Sequence, residues 1–400
     1  MRILYISQYF PPEMGAPSAR VYELASHWIR MGHKVKVLTA FPNHPTGIVP
    51  EEYRGEILRR EFVDGIEVIR TWVFATPNKG FTKRIANYLS FPISATLLGI
   101  PLVHACDVVI ATSPQFFVGA AGYIASRFKK KPFVFEVRDL WPDTIIAVGA
   151  LKNRLILELL KSMERFLYKR ASGIVGVAES AGEVISQRAG PFSRVAVIPN
   201  GVDMDFFGAD EDSHRDNEQF LVSYIGTHGL CQGLEVVLDA AEKLEGYNIK
   251  FLFVGEGAEK EKLMQDAQRR CLSSVSFLPG QPRELVPRFY KDSNVCLVVL
   301  KDREVFSHTI PSKMFEIMAC ARPIVLAVRG ESRQVLEKAH AGIPVEPENA
   351  SELADAILKL YNNTEQADTM GRNGRAFVEK HYSRGCLSEK YIHFLASICE

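Results

Sequence analysis

The segment from Pro311 to Ala319 places a hydroxyl, an ammonium and a carboxylate where they could act on one ligand. Proline suits the first turn of a helix. From there Lys313 and Glu316 stand three residues apart and Ser312 and Glu316 four apart, so all three share one helical face. A hydroxyl and an ammonium at a helix start suit a diphosphate. A carboxylate one turn deeper suits the paired hydroxyls of a ribose. The plainer reading is an exposed ion pair worth ~0.2–0.5 kcal/mol. Against it, Glu316 lies among Met314, Phe315, Ile317 and Met318, and a carboxylate in that company needs a partner.

Three further segments follow strand-like runs. Gly226-Thr227-His228-Gly229-Leu230-Cys231-Gln232-Gly233 has three glycines in eight residues, then a helical pattern, and its position suits a phosphate cradle. It is not a P-loop, because the lysine and hydroxyl that would follow the glycines are missing. Gly15 sits in a turn between the first strand and the first helix, where backbone N–H groups could meet an anion; an ordinary surface loop would use the same residues. Glu136-Val137-Arg138-Asp139-Leu140-Trp141-Pro142-Asp143 ends the run 133–137, at the strand end where open α/β sheets bind ligands. Glu136, Arg138 and Asp139 are the candidate catalytic group; a structural pair of Arg138 with Asp139 or Glu136 is the alternative.

Other patterns point nowhere. Asp203-Met204-Asp205 has the spacing of a metal-binding DxD but no further ligands nearby, and His27, His33 and His44 have no ligand spacing, so no metal site is expected. There is no GxSxG and no HExxH.

The elements that must position these residues alternate in kind. Short β-branched runs at 3–7, 34–39, 108–112, 133–137, 174–177 and 195–198, then at 221–225, 250–254, 275–278, 295–300 and 324–328, are separated by helical patterns. Continuous apolar strands spaced by helices mark parallel sheets covered on both faces, and the series repeats, which predicts two doubly wound α/β domains. The divisions expected are a first domain over 1–200, a polar, acidic linker over 201–219, a second domain over 220–383, and a last helix over 384–400 packing back on the first domain.

Four hundred residues suit two domains of ~200 residues. A formal net charge of +1 gives no argument for nucleic acid, which leaves local patches as the source of any anion affinity. Seven scattered cysteines without a CxxC pair read as reduced thiols of a cytoplasmic protein. Residues 1–6 read as a strand, since turn residues follow at once and no cleavage site appears. The stretch 85–106 carries no charge, yet contains Asn87, Ser90, Ser94, Thr96 and two prolines. It fits a buried or groove-lining helix, an interfacial helix or a span. Lys79, Lys83 and Arg84 precede it, and Lys129, Lys130 and Lys131 lie in the same domain. Basic residues beside an apolar surface suit an anionic membrane.

Taken in order, these motifs resemble glycosyltransferase family 4, and within it the bacterial N-acetyl-L-fucosamine transferases of O-antigen and capsule assembly. The parts are the Pro11-Pro12-x-x-Gly15 loop with Gly32-His33-x-Val35-x-Val37; Glu136 to Pro142; Ile198-Pro199-Asn200-Gly201-Val202-Asp203; Gly226 to Gly233; Gly255-Glu256-Gly257; and Pro311 to Glu316 with Ala321-Arg322-Pro323. The resemblance covers essentially the whole chain. It implies a GT-B fold, two Rossmann-like domains whose parallel sheets face a central cleft. It also implies a UDP-sugar held mainly by the C-terminal domain, a lipid-linked sugar acceptor on the N-terminal domain, and retention of anomeric configuration without metal or cofactor. A polyprenyl diphosphate would carry the acceptor, and the enzyme would sit in the cytoplasm, peripheral at the inner face of the cytoplasmic membrane.

The donor-binding residues carried over are Gly15, Thr227, Gln232, Gly255, Glu256, Arg283, His308, Ser312, Lys313 and Glu316. Glu316 matches the second glutamate of the family's EX7E motif, and His308 stands where the first would be. Thr227 and Gln232 stand where other members place arginine and lysine, so Lys313, backbone amides near Gly15 and Gly229, and Arg283 must carry more of the diphosphate charge. The competing readings are a nucleotide-sugar 2-epimerase of the same fold and a non-catalytic sugar-nucleotide sensor.

Overall fold

The computed structural model describes residues 1–400 except 14, 45, 77–80, 148, 150, 152, 192 and 209–218, with the backbone alone for 81, 82 and 84. It divides into two compact units, Met1–Pro199 with Arg384–Glu400, and Asn200–Ser383. The acidic centre of the expected linker falls in 209–218, outside the described residues.

The first unit is built on an eight-stranded sheet. Its strands are β1 (Arg2–Ile6), β2 (Lys34–Ala40), β3 (Leu58–Val63), β4 (Ile66–Thr71), β5 (Val108–Thr112), β6 (Phe133–Val137), β7 (Gly173–Gly176) and β8 (Val195–Val197), in the order β3-β4-β2-β1-β5-β6-β7-β8. All pairs are parallel except β3 with β4. That hairpin turns on Asp64 and Gly65, both at positive φ (48° and 81°), the two-residue turn whose twist matches its strands. Strands β5, β6 and β7 are buried along their whole length, because helices cover both faces.

One face is closed by the helices Ala16–Arg30 and Arg384–Cys399. Tyr5, Val37, Val108 and Val134 share a core there with Leu24 and Trp28, and with Leu387, Tyr391 and Leu395. Trp28 Nε1 donates to the Ser388 carbonyl at 3.2 Å and its ring meets Tyr391 edge-on at 5.3 Å, a pairing worth ~0.5–1.5 kcal/mol beyond area burial. Arg384 and Glu23 form a buried ion pair at 2.6 Å between the same two helices.

The other face holds the helices Phe81–Ser94, Val118–Lys129 and Arg154–Arg170, side by side. The first continues through a π-helical turn, Ala95–Gly99, to Leu102. Gly99 is required by its approach to the sheet: a Cβ there would lie 2.3 Å from Leu38 Cδ1. The window Ile85–Leu102 is long and apolar enough to cross a membrane, and 44% of it is buried inside the protein. Asn87, Phe91, Ser94 and Ala95 point inward, whereas Leu89, Ile93 and Leu97 form an exposed stripe one turn apart. The helix thus packs on the sheet with one apolar edge outward.

The second unit carries β9 (Phe220–Ile225), β10 (Ile249–Val254), β11 (Val275–Leu278), β12 (Val295–Val299), β13 (Ile324–Ala327) and β14 (Gly342–Pro344). They form an all-parallel sheet in the order β11-β10-β9-β12-β13-β14. The strand order reverses between β9 and β12, and the corresponding reversal in the first unit lies between β1 and β5. Such switch points open a crevice at the carboxyl ends of the strands.

Candidate functional site

At the switch point of the second unit, the turns after β9 and β10 touch backbone to backbone. Gly255 has φ +151°, and a Cβ there would fall 1.9 Å from the Gly226 carbonyl oxygen. Gly226 has φ +138°, and a Cβ there would fall 2.6 Å from Lys313 Nζ. Only glycine meets both the dihedral and the contact. The His228 N–H donates to the Glu256 carbonyl at 2.9 Å and the Glu259 N–H to the His228 carbonyl at 2.9 Å, so the two turns form one structure.

Lys313 opens the helix Lys313–Ala319 and turns its ammonium onto Gly226. Nζ lies 3.7 Å from the centroid of the Tyr224 ring. It is buried and has no hydrogen-bond partner among the described residues. Burial pushes the ammonium down to about 7, against the pull of the Glu316 carboxylate. A buried cation without a hydrogen-bonded anion is costly and calls for one. Tyr224 itself is fixed by its hydroxyl donating to the Thr227 carbonyl at 2.8 Å.

Glu316 is half-buried one turn along, where Tyr290 donates its hydroxyl to Oε2 at 3.1 Å. A Glu316→Ala variant should keep its fold and lose most donor handling. Two charge-assisted hydrogen bonds to a ribose would be worth ~2–4 kcal/mol. Unchanged donor affinity and turnover would remove Glu316 from the site.

The remaining residues expected to bind the donor have varied settings. Ser312 is half-buried directly before the helix. His308 closes the 3-10 turn Glu304–His308, with a buried Nδ1 that has no partner among the described residues. Thr227 is exposed, while Gln232 spends its side chain inside the loop, accepting from the Gly229 N–H at 3.2 Å. Glu256 takes the Lys260 ammonium at 3.0 Å and the Gly280 N–H at 3.1 Å, tying the turn after β10 to the one after β11. Arg283, expected to add positive charge for the diphosphate, stacks its guanidinium over Phe206 at 4.5 Å.

His228 lies in the same turn as Gly226, and the sequence alone does not single it out. Its ring is fully buried among Tyr224, Phe253 and Phe277, and neither nitrogen has a partner among the described residues. Burial, then Lys260 and Lys313, push it down to about 4, so it stays neutral at physiological pH.

In the first unit the expected catalytic trio separates. Glu136 is fully buried. Its Oε1 accepts from Tyr5 at 2.9 Å and Thr112 at 2.7 Å, and its Oε2 from Arg20 Nε at 3.1 Å and Nη2 at 2.9 Å. Arg20 also donates to the Ile198 and Pro199 carbonyls at 2.9 and 2.8 Å. Burial alone would raise Glu136, but the Arg20 guanidinium holds it below the usual carboxylate range. Glu136 is thus a saturated, buried carboxylate that joins β6, the helix Ala16–Arg30 and the end of the first unit. Arg138 differs. Its N–H donates to Ser113 Oγ at 2.7 Å, but Nε and Nη1 have no partner among the described residues. Burial and the like charge of Arg20 bring it down to about 10. Asp139 beside it is half-buried and raised by burial. Gly15, at φ 124°, is exposed at the N-terminus of Ala16–Arg30.

Among the described residues no group of three or more His, Cys, Asp and Glu side chains is placed to hold a metal ion.

Comparison with known proteins follows the same division. Residues 15–201 match the family model described as "Glycosyl transferase 4-like domain", and residues 208–377 the one described as "Glycosyl transferases group 1". WcaI of Escherichia coli (strain K12), named as a colanic acid biosynthesis glycosyl transferase, is 25% identical over 389 residues, covering 91% of this chain and 94% of that protein. O-antigen chain mannosyltransferase C of Escherichia coli is 22% identical, covering 100% of this chain and 99% of its own. Among solved structures, Anabaena Alr3699/HepE in complex with UDP and glucose superposes with a TM-score of 0.73 at 18% identity, covering 99% of both chains. Sucrose-phosphate synthase from Thermosynechococcus elongatus superposes at 0.75 with 16% identity, covering 99% of this chain and 98% of that one. At these identities the structural likeness shows the two-domain GT-B fold.

Proposed function

For a glycosyltransferase whose halves match a glycosyl transferase 4-like domain and a glycosyl transferases group 1 domain, we propose retaining, metal-independent transfer from a UDP-sugar to a lipid-linked sugar. The sugar is an N-acetylated deoxyhexose such as N-acetyl-L-fucosamine. The acceptor hangs from a polyprenyl diphosphate at the inner face of the cytoplasmic membrane, and the product enters O-antigen or capsule. The observation that carries this reading is the buried Lys313 ammonium beside the Gly226 turn, without a hydrogen-bond partner among the described residues, with Glu316 one turn on. The names of relatives support the pathway: colanic acid for WcaI, O-antigen for mannosyltransferase C. The solved complexes of HepE with UDP and UDP-glucose support the donor class.

The chemistry follows from these groups. Lys313 balances the diphosphate charge that grows as the glycosidic C–O bond breaks, without reorganising at that moment. Glu316, oriented by Tyr290, receives the ribose hydroxyls. The ring passes through an oxocarbenium-like state. The acceptor oxygen attacks on the face from which the phosphate departs, and its proton passes to the departing phosphate oxygen. Arg138 and Asp139 orient the acceptor.

Binding should follow the Lys313 proton. Free protein loses that charge above about pH 7, and a bound diphosphate restores it. UDP affinity should therefore fall as pH rises above about 7, by about tenfold per unit at the steepest, with proton uptake visible by calorimetry. Affinity constant from pH ~6 to ~9 would contradict the role.

The function is tested with purified protein, a panel of UDP-sugars and short polyprenyl-diphosphate sugars in excess EDTA, read by mass spectrometry. The expected result is one acceptor species heavier by one sugar. Release of UDP without acceptor, or turnover only after adding Mn²⁺ or Mg²⁺, would overturn it.

The exposed stripe of Leu89, Ile93 and Leu97, with exposed Lys83 at its start, supports the membrane part of the proposal. Lys79 and the Arg84 side chain lie outside the described residues.

A further inference from the structure

The helix Arg154–Arg170 buries charge and exposes apolar bulk. Its inward face includes Glu164, 3% exposed and held by Arg188 at 2.9 Å, beside Leu160, Leu167 and Tyr168. Its outward face shows Leu155 at 82%, Leu159 at 68% and Phe166 at 43% exposure. At helical spacing these three fall within a narrow stripe opposite the buried one. A helix that needed only to cover the sheet would carry polar residues there. Phe166 meets Tyr123 edge-on at 5.2 Å, which joins the stripe to the helix Val118–Lys129, where Ile124 (44%) and Phe128 (64%) are also exposed.

The charge around this surface is mostly of one sign. Both helices run back to the starts of adjacent parallel strands, β6 and β7, so their C-terminal ends lie at one edge. Exposed Arg127, Lys130, Lys131, Arg165, Lys169 and Arg170 gather there, and Arg170 lies over the Phe166 ring at 5.7 Å. On the outward side of Arg154–Arg170 the exposed acid is Glu158, paired with Lys161 at 3.7 Å. A second copy of the chain seated on this face would bring the same cations and little to meet them. A layer of anionic headgroups over acyl chains meets both the cations and the stripe.

We propose that the outward face of Arg154–Arg170, continued by Ile124 and Phe128, inserts into the interface of an anionic bilayer. This rests on the membrane reading above, but assigns the contact to a helix outside the uncharged stretch from which that reading came.

The test is flotation of the full chain with vesicles of equal parts phosphatidylglycerol and phosphatidylcholine, comparing two triple variants. Leu155→Ser with Leu159→Ser and Phe166→Ser should lower the vesicle-bound fraction at least ~10-fold, since all three side chains are exposed and their loss leaves the core intact. Leu159→Trp should show a blue-shifted emission on adding the same vesicles. If the wild type floats and this triple variant floats equally, while Leu89→Ser with Ile93→Ser and Leu97→Ser does not, the contact belongs to the other helix and the inference falls alone. If the wild type ignores anionic vesicles at low salt, the membrane reading falls and this inference with it. A wild-type dimer that becomes monomeric in the 155/159/166 variant would identify a self-interface instead and overturn the proposal.

Discussion

Lys313→Met is expected to cut transfer by ~10²–10³ or more while making the free protein more stable. The two effects have one cause. The ammonium is buried against Tyr224 and the Gly226 turn without a hydrogen-bond partner among the described residues, so the empty protein bears the cost of desolvating it. Methionine fills a similar volume with no charge. The gain should be ~2–4 kcal/mol at neutral pH, less than the whole shift because the half-buried stem lets the ammonium relax toward water. Its sign with pH is fixed. The folded value of about 7 lies below the usual 10.5, so the native state binds fewer protons between them. The cost of the lysine is complete below about pH 7, shrinks as pH rises, and is gone near 10.5. The stability advantage of the methionine variant in urea unfolding should shrink in step. A variant less stable than wild type at neutral pH, or one with normal UDP affinity, would contradict the assignment.

The second large effect is expected in the first unit. Arg20→Met should destabilise by ~3–5 kcal/mol, because it strands the Glu136 carboxylate at zero exposure. Glu136→Leu should cost a comparable amount by stranding Arg20. The double variant should cost clearly less than the sum, as expected for partners in one network. Turnover measured on the folded fraction should survive in the double variant. A Glu136→Gln protein of wild-type stability but without turnover would restore the carboxylate to a catalytic role.

These residues show where sequence was legible and where it was not. Lys313 and Glu316 could be paired from spacing alone, because helical geometry is local. The doubly wound fold could be read from apolar runs, because strands buried on both faces must be apolar throughout. The β3–β4 hairpin escaped notice, although Asp64-Gly65 signals its turn, because its outer strand is half-exposed and carries Arg59, Arg60 and Glu61 among its apolar residues. The setting of Glu136 is illegible for a different reason. Its position at a strand end fitted a catalytic acid, and nothing local announces that Tyr5, Arg20 and Thr112 close over it from other elements. His228 was hidden in the same way, since its ring is buried by Phe253 and Phe277 from later strands. Arg283 was chosen by charge, and its stacking on Phe206 depends on tertiary contact.

The proposed transfer proceeds with retention, driven by a protein cation in place of a metal. It is tested most directly by proton NMR of the product formed in excess EDTA, which reports the anomeric configuration of the new glycosidic bond. The expected product keeps the configuration of the UDP-sugar and forms at a rate unchanged by chelator. An inverted anomeric centre, or a reaction that stops on chelation and resumes with added divalent cation, would contradict it.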